Sequence, residues 1–439
     1  MSGRLVALWN SVQGSFWFLP AVMALGAALL AEGAVNVDER VSPGALRGFA
    51  WVYAGSADGA RSMLGAIAGS VIGVAGTTFS ITIAALSLAS SQMGPRLLEH
   101  FTRDRGNQLT LGTFIATFAY ALLVLRTVRS GDENLFVPHL AVTLGLGLAL
   151  LSLAVLIYFI AHIAGGINVG HVIRLVSREL EGTIGEQFPG RDGPAPPTVP
   201  VPTEAPAEEV RARDGGYLQA LDTRRLLRLA RDQGAVIRLT VRPGDFVFPG
   251  MVVAHTSPAA VAGVRDSLVT GPRRTSRQDV EFTARQLVEV AVRALSPGVN
   301  DPFTAIAVLD HLGAALCQLS ARDMPPGEFW ADGKLRLVVP VTSYAGLTDV
   351  MFHQIRQNGA SHPAVMLRLL EVLAAVAEQE RAPERRASLR RHADLALRAA
   401  LRETGEEADR RELEERHGRV LRVLGREDGS SGEAQPHHP

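Results

Sequence analysis

About 170 residues at the start of the chain contain long apolar runs, whereas the remainder mixes charged and apolar positions at short spacing. A bilayer core of about 30 Å requires roughly 20 mostly apolar residues in a helix. By this measure the sequence predicts about four transmembrane helices, at about 12–31, 63–91, 109–125 and 137–163. The expected fold is an α-helical membrane domain, residues 1–172, followed by a soluble α+β domain.

The soluble part divides further by composition and periodicity. Residues 173–210 are predicted to form a helical exit from the membrane and a Pro-rich linker. Short alternating runs separated by turns predict a small β-rich module at 211–270, with Asp222 as the N-cap of a short helix. Helical periodicity predicts a mainly helical part at 271–425, and the polar tail 426–439 is expected to be disordered.

The predicted second span carries a stripe of small and hydroxyl-bearing residues and no charge. Glycines at four-residue spacing form a groove that lets another helix pack closely, which is one interpretation of the stripe. The other is a pore lining, since small and hydroxyl-bearing positions with apolar constrictions suit a permeation path. Without an ionisable residue in the span, passive permeation is favoured over coupled transport. The candidate pore or packing residues are Gly65, Gly69, Gly73, Thr77, Ser80, Ser87 and Ser91.

A second region of interest is the turn between two predicted helices in the soluble part. The first helix is expected to stop at Ser296, and the second to begin with Asn300 or Asp301 as N-cap and Pro302 as its first residue. Exposed amides and hydroxyls at a helix N-terminus can bind an anion, whereas ordinary capping would require no ligand. The residues of this candidate ligand loop are Arg293, Ser296, Asn300, Asp301 and Thr304.

A charged helix from about Pro383 to Leu424 is expected near the end of the chain. Overall charge is balanced, with 44 basic and 44 acidic residues, so no net field favours nucleic acid as a partner. Lys334 is the only lysine, which disfavours phosphate-loop and Schiff-base chemistry. The single cysteine, Cys317, excludes an intramolecular disulfide and is simplest to reconcile with a reducing compartment.

The histidines show no spacing typical of a metal site. His162 and His171 flank a Gly-rich stretch, and His353 and His362 are separated by nine positions, so neither pair matches a helical ligand motif. No nucleophile elbow or nucleotide-binding fingerprint is present either. We therefore expect no catalytic residues, no cofactor and no metal, and no enzymatic activity.

Three segments resemble a known family: residues 79–129 (FSITIAAL to LRTVR), 242–250 (RPGDFVFPG) and 286–312 (QLVEVAVRALSPGVNDPFTAIAVLDHL). The chain is similar, from its first span to about Val376, to predicted bacterial membrane proteins grouped as domain of unknown function 2254. The resemblance implies a multi-span membrane region with a cytoplasmic type of domain. It implies no established activity, so no functional residue follows from it.

Two hypotheses from different classes follow. The leading one is a homo-oligomeric, channel-like protein of the bacterial inner membrane, with the second span facing the axis and the soluble part assembling or gating the path. The alternative is a non-conducting membrane sensor or scaffold whose soluble domain binds a partner or a small ligand. Arginines are almost balanced between the two sides, so the expectation that both termini are cytoplasmic rests on the disulfide-free soluble part.

Overall fold

A computed structural model of the chain describes residues 17–40, 52–93, 104–130, 136–166, 169–191, 208–258, 260–276 and 278–425. The chain divides into two compact units, Met1–His171 and Val172–Pro439. Residues 12–16 of the first predicted span, most of the Pro-rich linker and the tail 426–439 lie outside the described residues. The first unit is helical, and the second combines helices with two β-sheets.

In the described residues of the first unit there are four long helices: α1 (Phe18–Arg40), α2 (Ala57–Met93), α3 (Arg105–Thr127) and α4 (His139–Gly166). The third, α3, packs against each of the other three and is the central helix of the bundle. Half of its apolar stretch is buried, against 22–28% for the other three helices. Its buried residues include Thr110, Phe114, Thr117, Tyr120, Ala121 and Val124.

Carboxylates fix the bundle at both ends. Asp38, near the end of α1, accepts hydrogen bonds from the backbone N–H groups of Leu140 and Ala141 at 3.0 and 2.8 Å. These amides belong to the first turn of α4, whose partial positive charge favours an anion. At the other end, Asp104 caps α3 and lies 2.6 Å from Nε2 of His162 on α4. Both termini of α4 are therefore held by carboxylates from neighbouring parts of the unit.

The helices extend beyond the predicted spans. At 37 residues, α2 is about 55 Å long, well above the bilayer core of about 30 Å. Such a helix has to tilt or to continue past the hydrocarbon region.

Helix α5 (Val169–Gln187) lies mostly in the second unit, whose described residues also form two sheets and several further helices. The strands are β1 (Glu208–Arg211), β2 (Gly216–Leu221), β3 (Val236–Leu239), β4 (Phe246–Val247), β5 (Val252–Ser257), β6 (Leu268–Gly271), β7 (Glu328–Ala331) and β8 (Lys334–Val338). The five-stranded sheet has the order β1-β5-β3-β8-β7, and the three-stranded sheet has the order β4-β2-β6. Strands β3 and β8 pair in parallel, with Ile237 opposite Leu337.

Two of these strands, β7 and β8, come from far beyond the predicted β-rich module at 211–270. The parallel pairing of β8 with β3 needs a long connection, and helices of the second unit provide it. The short helix α6 (Thr223–Asp232) has Asp222 as its N-cap, as predicted.

The remaining helices pack together in the second unit. They are α7 (Val280–Ala294), α8 (Pro302–Ser320), α9 (Tyr344–Gly359), α10 (Pro363–Gln379), α11 (Pro383–Glu403) and α12 (Glu407–Gly425). Asp301 is the N-cap of α8 and Pro302 its first residue, as predicted. The charged helix expected from 383 to 424 is instead two helices, because Thr404 adopts an extended conformation that ends α11.

The sequence predicted about four transmembrane helices, one fewer than the number of described helices that are long and apolar enough to cross a membrane. Five helices in the described part of the chain are long and apolar enough to cross a membrane, and the fifth is α8. Its 19 residues fall just below the length that the sequence criterion required, and Asp310 and His311 interrupt its apolar run. Helix α8 packs against α7 and α10 in the second unit. Burial at the centre of a helical layer produces the same apolar composition as a lipid environment.

A buried carboxylate organises the junction between α10 and α11. Glu380 is fully buried and accepts hydrogen bonds from the backbone N–H groups of Arg381 and Ala382, both at 2.9 Å. The guanidinium groups of Arg385 and Arg191 lie 3.4 and 3.3 Å from its oxygens. Removing one partner of such a group leaves the other charges buried without compensation.

Replacement of Glu380 with alanine is expected to lower the free energy of unfolding by about 3–5 kcal/mol, because buried Arg385 loses its counter-ion. Glu378→Ala is the matched control, since Glu378 forms an exposed pair with Arg419 at 3.6 Å and should cost less than about 1 kcal/mol. Denaturant unfolding of the full chain in detergent measures both changes. Equal losses in the two variants would contradict the assigned role of Glu380.

Candidate functional site

The small-residue stripe of α2 lies on the face opposite to the one that packs inside the bundle. The buried face points to α3 and α4 and consists of Ala57, Ala60, Leu64, Ile67, Ala68, Val71, Ala75 and Thr78. Six of the seven predicted residues, Gly65, Gly69, Gly73, Thr77, Ser80 and Ser87, are exposed. The side chain of Ser91 lies outside the described part of the chain.

Open space surrounds the glycines of this face. A Cβ built on Gly65, Gly69 or Gly73 meets no described atom within 4 Å. The hydroxyls of Thr77 and Ser80 donate to the carbonyl oxygens of the residues four positions earlier, at 3.1 and 3.0 Å. The face is therefore weakly polar, and its Thr77 and Ser80 hydroxyls bond within the helix itself. No described residue of this unit covers the three glycines.

Other outward faces of the first unit differ in character. Helices α1 and α4 expose large aliphatic side chains, as helices facing lipid do. These exposed residues include Leu25, Leu29, Leu30, Leu146, Leu150, Leu153, Ile157 and Ile160. On α2, large apolar residues such as Ile72 and Ile83 flank the small stripe. The described outward surface thus combines the small-residue stripe of α2, which suits close helix approach, with large aliphatic patches; α1 and α4 also expose Gly26, Gly33 and Gly147.

The candidate ligand loop uses its polar groups for its own structure. Ser296 donates to the carbonyl oxygen of Arg293 at 2.6 Å, and the side chain of Asp301 accepts from both N and Oγ1 of Thr304, at 3.2 and 2.6 Å. Asn300 has a positive φ of 48° and its Oδ1 lies 3.0 Å from Nε2 of His362. These bonds describe a capped helix start, which agrees with the interpretation that requires no ligand.

Next to this loop the surface is apolar. Phe303, in the first turn of α8, is 80% exposed, and Val299 is also exposed. Exposed apolar side chains offer contact area to another macromolecule but no hydrogen-bond donor to a small anion.

A further group of side chains meets between α9 and α11. Oδ1 of Asp349 lies 3.0 Å from Nε2 of His353 and 3.1 Å from Nε2 of His392. The guanidinium of Arg391 contacts the same carboxylate oxygen and lies 3.4 Å from Nε2 of His392. Burial of His392, and then the adjacent Arg391 charge, lower the pKa of this imidazole from 6.5 to about 4.

Sequence reasoning missed this group. The spacing comparison considered His353 only together with His362. In the structure, His362 contacts Asn300 instead. The available signal was Asp349 four residues before His353, a spacing that puts both side chains on one helical face. The contribution of His392 depends on how α11 packs against α9, which the spacing does not reveal.

Comparison with known proteins supports the picture of a membrane protein. The family model described as "Predicted membrane protein (DUF2254)" matches residues 13–375. The chain belongs to this family. Uncharacterized proteins of Mycobacterium bovis and Mycobacterium tuberculosis are each 35% identical to it over 426 residues, covering 93% of this chain and 81% of the relative. No solved structure shows a significant match.

For this DUF2254 member, we expect the free energy of unfolding to decrease as the pH is lowered, because of His392. Its pKa of about 4 lies below the ordinary 6.5, so between these values the unfolded chain binds a proton that the folded chain does not. We expect a loss of up to about 3 kcal/mol as the pH falls from 6.5 to 4, and a smaller loss in His392→Gln. Unfolding in metal-free buffer measures both slopes, and identical slopes would contradict the assignment.

Proposed function

We propose that the protein is a homo-oligomeric, channel-like membrane protein in which the small-residue face of α2 lines a common axis between the copies. The second unit then assembles or gates the path. One observation carries the proposal: the glycine and hydroxyl face of α2 points away from its own bundle, while α1 and α4 expose large aliphatic residues. Small-residue faces let membrane helices approach closely, and large aliphatic faces suit lipid.

The chemistry of the face suits a permeation path as well as a structural contact. Thr77 and Ser80 are exposed along it and offer oxygen atoms that hydrated ions or small solutes can contact. No charged residue occurs between Met63 and Met93, so a path along this face would contain neither a fixed charge nor a proton relay. The proposed role is therefore passive and non-enzymatic.

The proposed location is the bacterial inner membrane, with both termini and the second unit in the cytoplasm. In this arrangement α1 to α4 cross the bilayer, and α8 belongs to the folded core of the second unit. The burial of α8 against α7 and α10 supports its exclusion from the spans. The permeating species is proposed only as an ion or small solute.

Bulky residues on the small face should alter conductance. Gly73→Leu and Ser80→Leu place side chains into open space, so they should leave the monomer folded while narrowing a path between copies. We expect unitary currents of the full chain in planar bilayers to fall severalfold. Leu150→Phe, on the aliphatic face of α4, is the matched control and should conduct like the unchanged protein.

Currents unaffected by the α2 variants, or no currents at all from the unchanged protein, would refute the channel. Proximity of the faces is tested separately in a Cys317→Ser background. There, Gly73→Cys should form disulfide-linked dimers under mild oxidation, whereas Leu150→Cys should not. A chain that remains monomeric in detergent and in liposomes would also refute the proposal.

A non-conducting sensor or scaffold is the second candidate function. The exposure of Phe303 and Val299 at the turn before α8 motivates a protein partner at this place. In this alternative the second unit docks a partner through that apolar turn, and α2 only assembles the membrane part.

Phe303→Ser should then reduce partner recovery severalfold in a pull-down with the full chain, because the exposed ring would supply much of the apolar contact. Phe248→Ser, at another exposed aromatic of the second unit, is the control and should leave recovery unchanged. Equal recovery by all three proteins would argue against docking at this turn.

A further inference from the structure

Two helices of the second unit bring together three side chains with metal-ligating atoms. Asp349 and His353 lie one turn apart on α9, and His392 reaches them from α11. One ligand atom from each residue, a carboxylate oxygen and two ring nitrogens, lies within 4.8 Å of the others. The group combines a nearly inaccessible member, His392 at 1% exposure, with two members at the surface.

The distances suit a small divalent ion. Ligand atoms arranged tetrahedrally around zinc at about 2.0–2.2 Å are separated from one another by roughly 3.3–3.6 Å. The two separations from Oδ1 of Asp349, 3.0 and 3.1 Å, need only a few tenths of an ångström of expansion to reach this range. Rotations of the two partly exposed side chains on α9 can supply that expansion while buried His392 stays in place.

Three groups converge on one carboxylate oxygen: His353, His392 and Arg391 all reach Oδ1 of Asp349. A guanidinium only donates hydrogen bonds, so in its contact with Arg391 the Nε2 of His392 is the acceptor and its lone pair faces the cluster. The Arg391 guanidinium, 3.4 Å from Nε2 of His392, supplies the positive charge that this arrangement requires.

The guanidinium of Arg391 can move away from the Asp349 carboxylate. Its side chain is 43% exposed, so its guanidinium can move into solvent with little rearrangement of α11. A divalent ion offers the same oxygen and nitrogens a stronger cation at a shorter distance. We propose that Asp349, His353 and His392 bind a divalent transition metal ion of the zinc class, and that this ion displaces Arg391.

The donor set limits the choice of metal. Imidazole nitrogens with one carboxylate suit Zn²⁺, Co²⁺ or Ni²⁺, whereas Mg²⁺ and Ca²⁺ prefer oxygen ligands alone. Three protein ligands leave at least one position for water or an incoming ligand, unlike the closed four-ligand sites of structural zinc. The site therefore suits an exchangeable ion that ties α9 to α11, a role beyond the proposed permeation path.

Cobalt titration of the chelator-stripped full chain in detergent tests the proposal. All proteins carry His437→Ala and His438→Ala, because the adjacent histidines of the tail offer a competing ligand pair. One Co²⁺ per chain should bind with visible absorption bands typical of nitrogen and oxygen ligation, and Zn²⁺ should displace it. Saturating Zn²⁺ should also raise the melting temperature of the second unit, because the ion binds the folded state.

Variants of the ligands and of the competing arginine make opposite predictions. Asp349→Asn, His353→Gln and His392→Gln should each weaken Co²⁺ binding at least tenfold, on the order expected for a lost ligand. Arg391→Gln should tighten it severalfold, since the competing cation is gone. His417→Gln is the control, because His417 forms a comparable pair with Asp394 at 2.7 Å and should leave the affinity unchanged.

Absence of stoichiometric Co²⁺ binding would overturn the proposal. So would equal binding by the unchanged protein and His353→Gln, a partly exposed position whose substitution should spare the fold. Weaker binding by Arg391→Gln would also overturn it, because that result would make Arg391 a support of the cluster rather than a competitor. Should His392→Gln fail to fold, the His353 and Arg391 variants decide the outcome.

Discussion

The arrangement of the first unit depends on the burial of α3 by its three neighbours. Because α3 occupies the centre, α2 turns its Leu64 and Val71 face inward and its glycine face outward. The carboxylate interactions lie at the helix ends, where Asp38 holds the start of α4 and Asp104 pairs with His162, whereas the buried hydroxyls of Thr117 and Ser152 pair with each other in the middle of the bundle. Such a division suits a bilayer, where an unpaired polar group costs most in the hydrocarbon and least near the headgroups.

The outward face of α2 can exist in lipid, between helices or beside water without a conformational change. Its hydroxyls already bond to backbone carbonyls of the preceding turn, so no environment leaves them unsatisfied. What distinguishes the environments is shape. A glycine groove forms few contacts with flexible lipid chains but many with a second helix, and this difference favours assembly.

The second unit joins its distant segments through specific pairings. Strand β8 pairs in parallel with β3, although a long segment that contains helices separates them in the chain. Helix α8 belongs to that segment and packs among the helices of the second unit. Buried Glu380 and its arginines fix where α11 begins. The position of α11 then decides that His392 meets Asp349 and His353, so the buried ion cluster at Glu380 and the proposed metal site depend on the same helix placement.

The sequence by itself determined the membrane character, the family and several local starts of helices. Length and hydropathy suffice for spans, and Asp222, Asp301 and Pro302 act within a few residues of themselves, so their roles could be predicted. Only the tertiary structure decided which face of α2 points outward. It also decided that α8 packs against other helices of the second unit and that β7 and β8 complete the larger sheet. It also brought Asp349, His353 and His392 together. These features join residues far apart in the chain, and no local periodicity specifies which distant surface an apolar or polar face will meet.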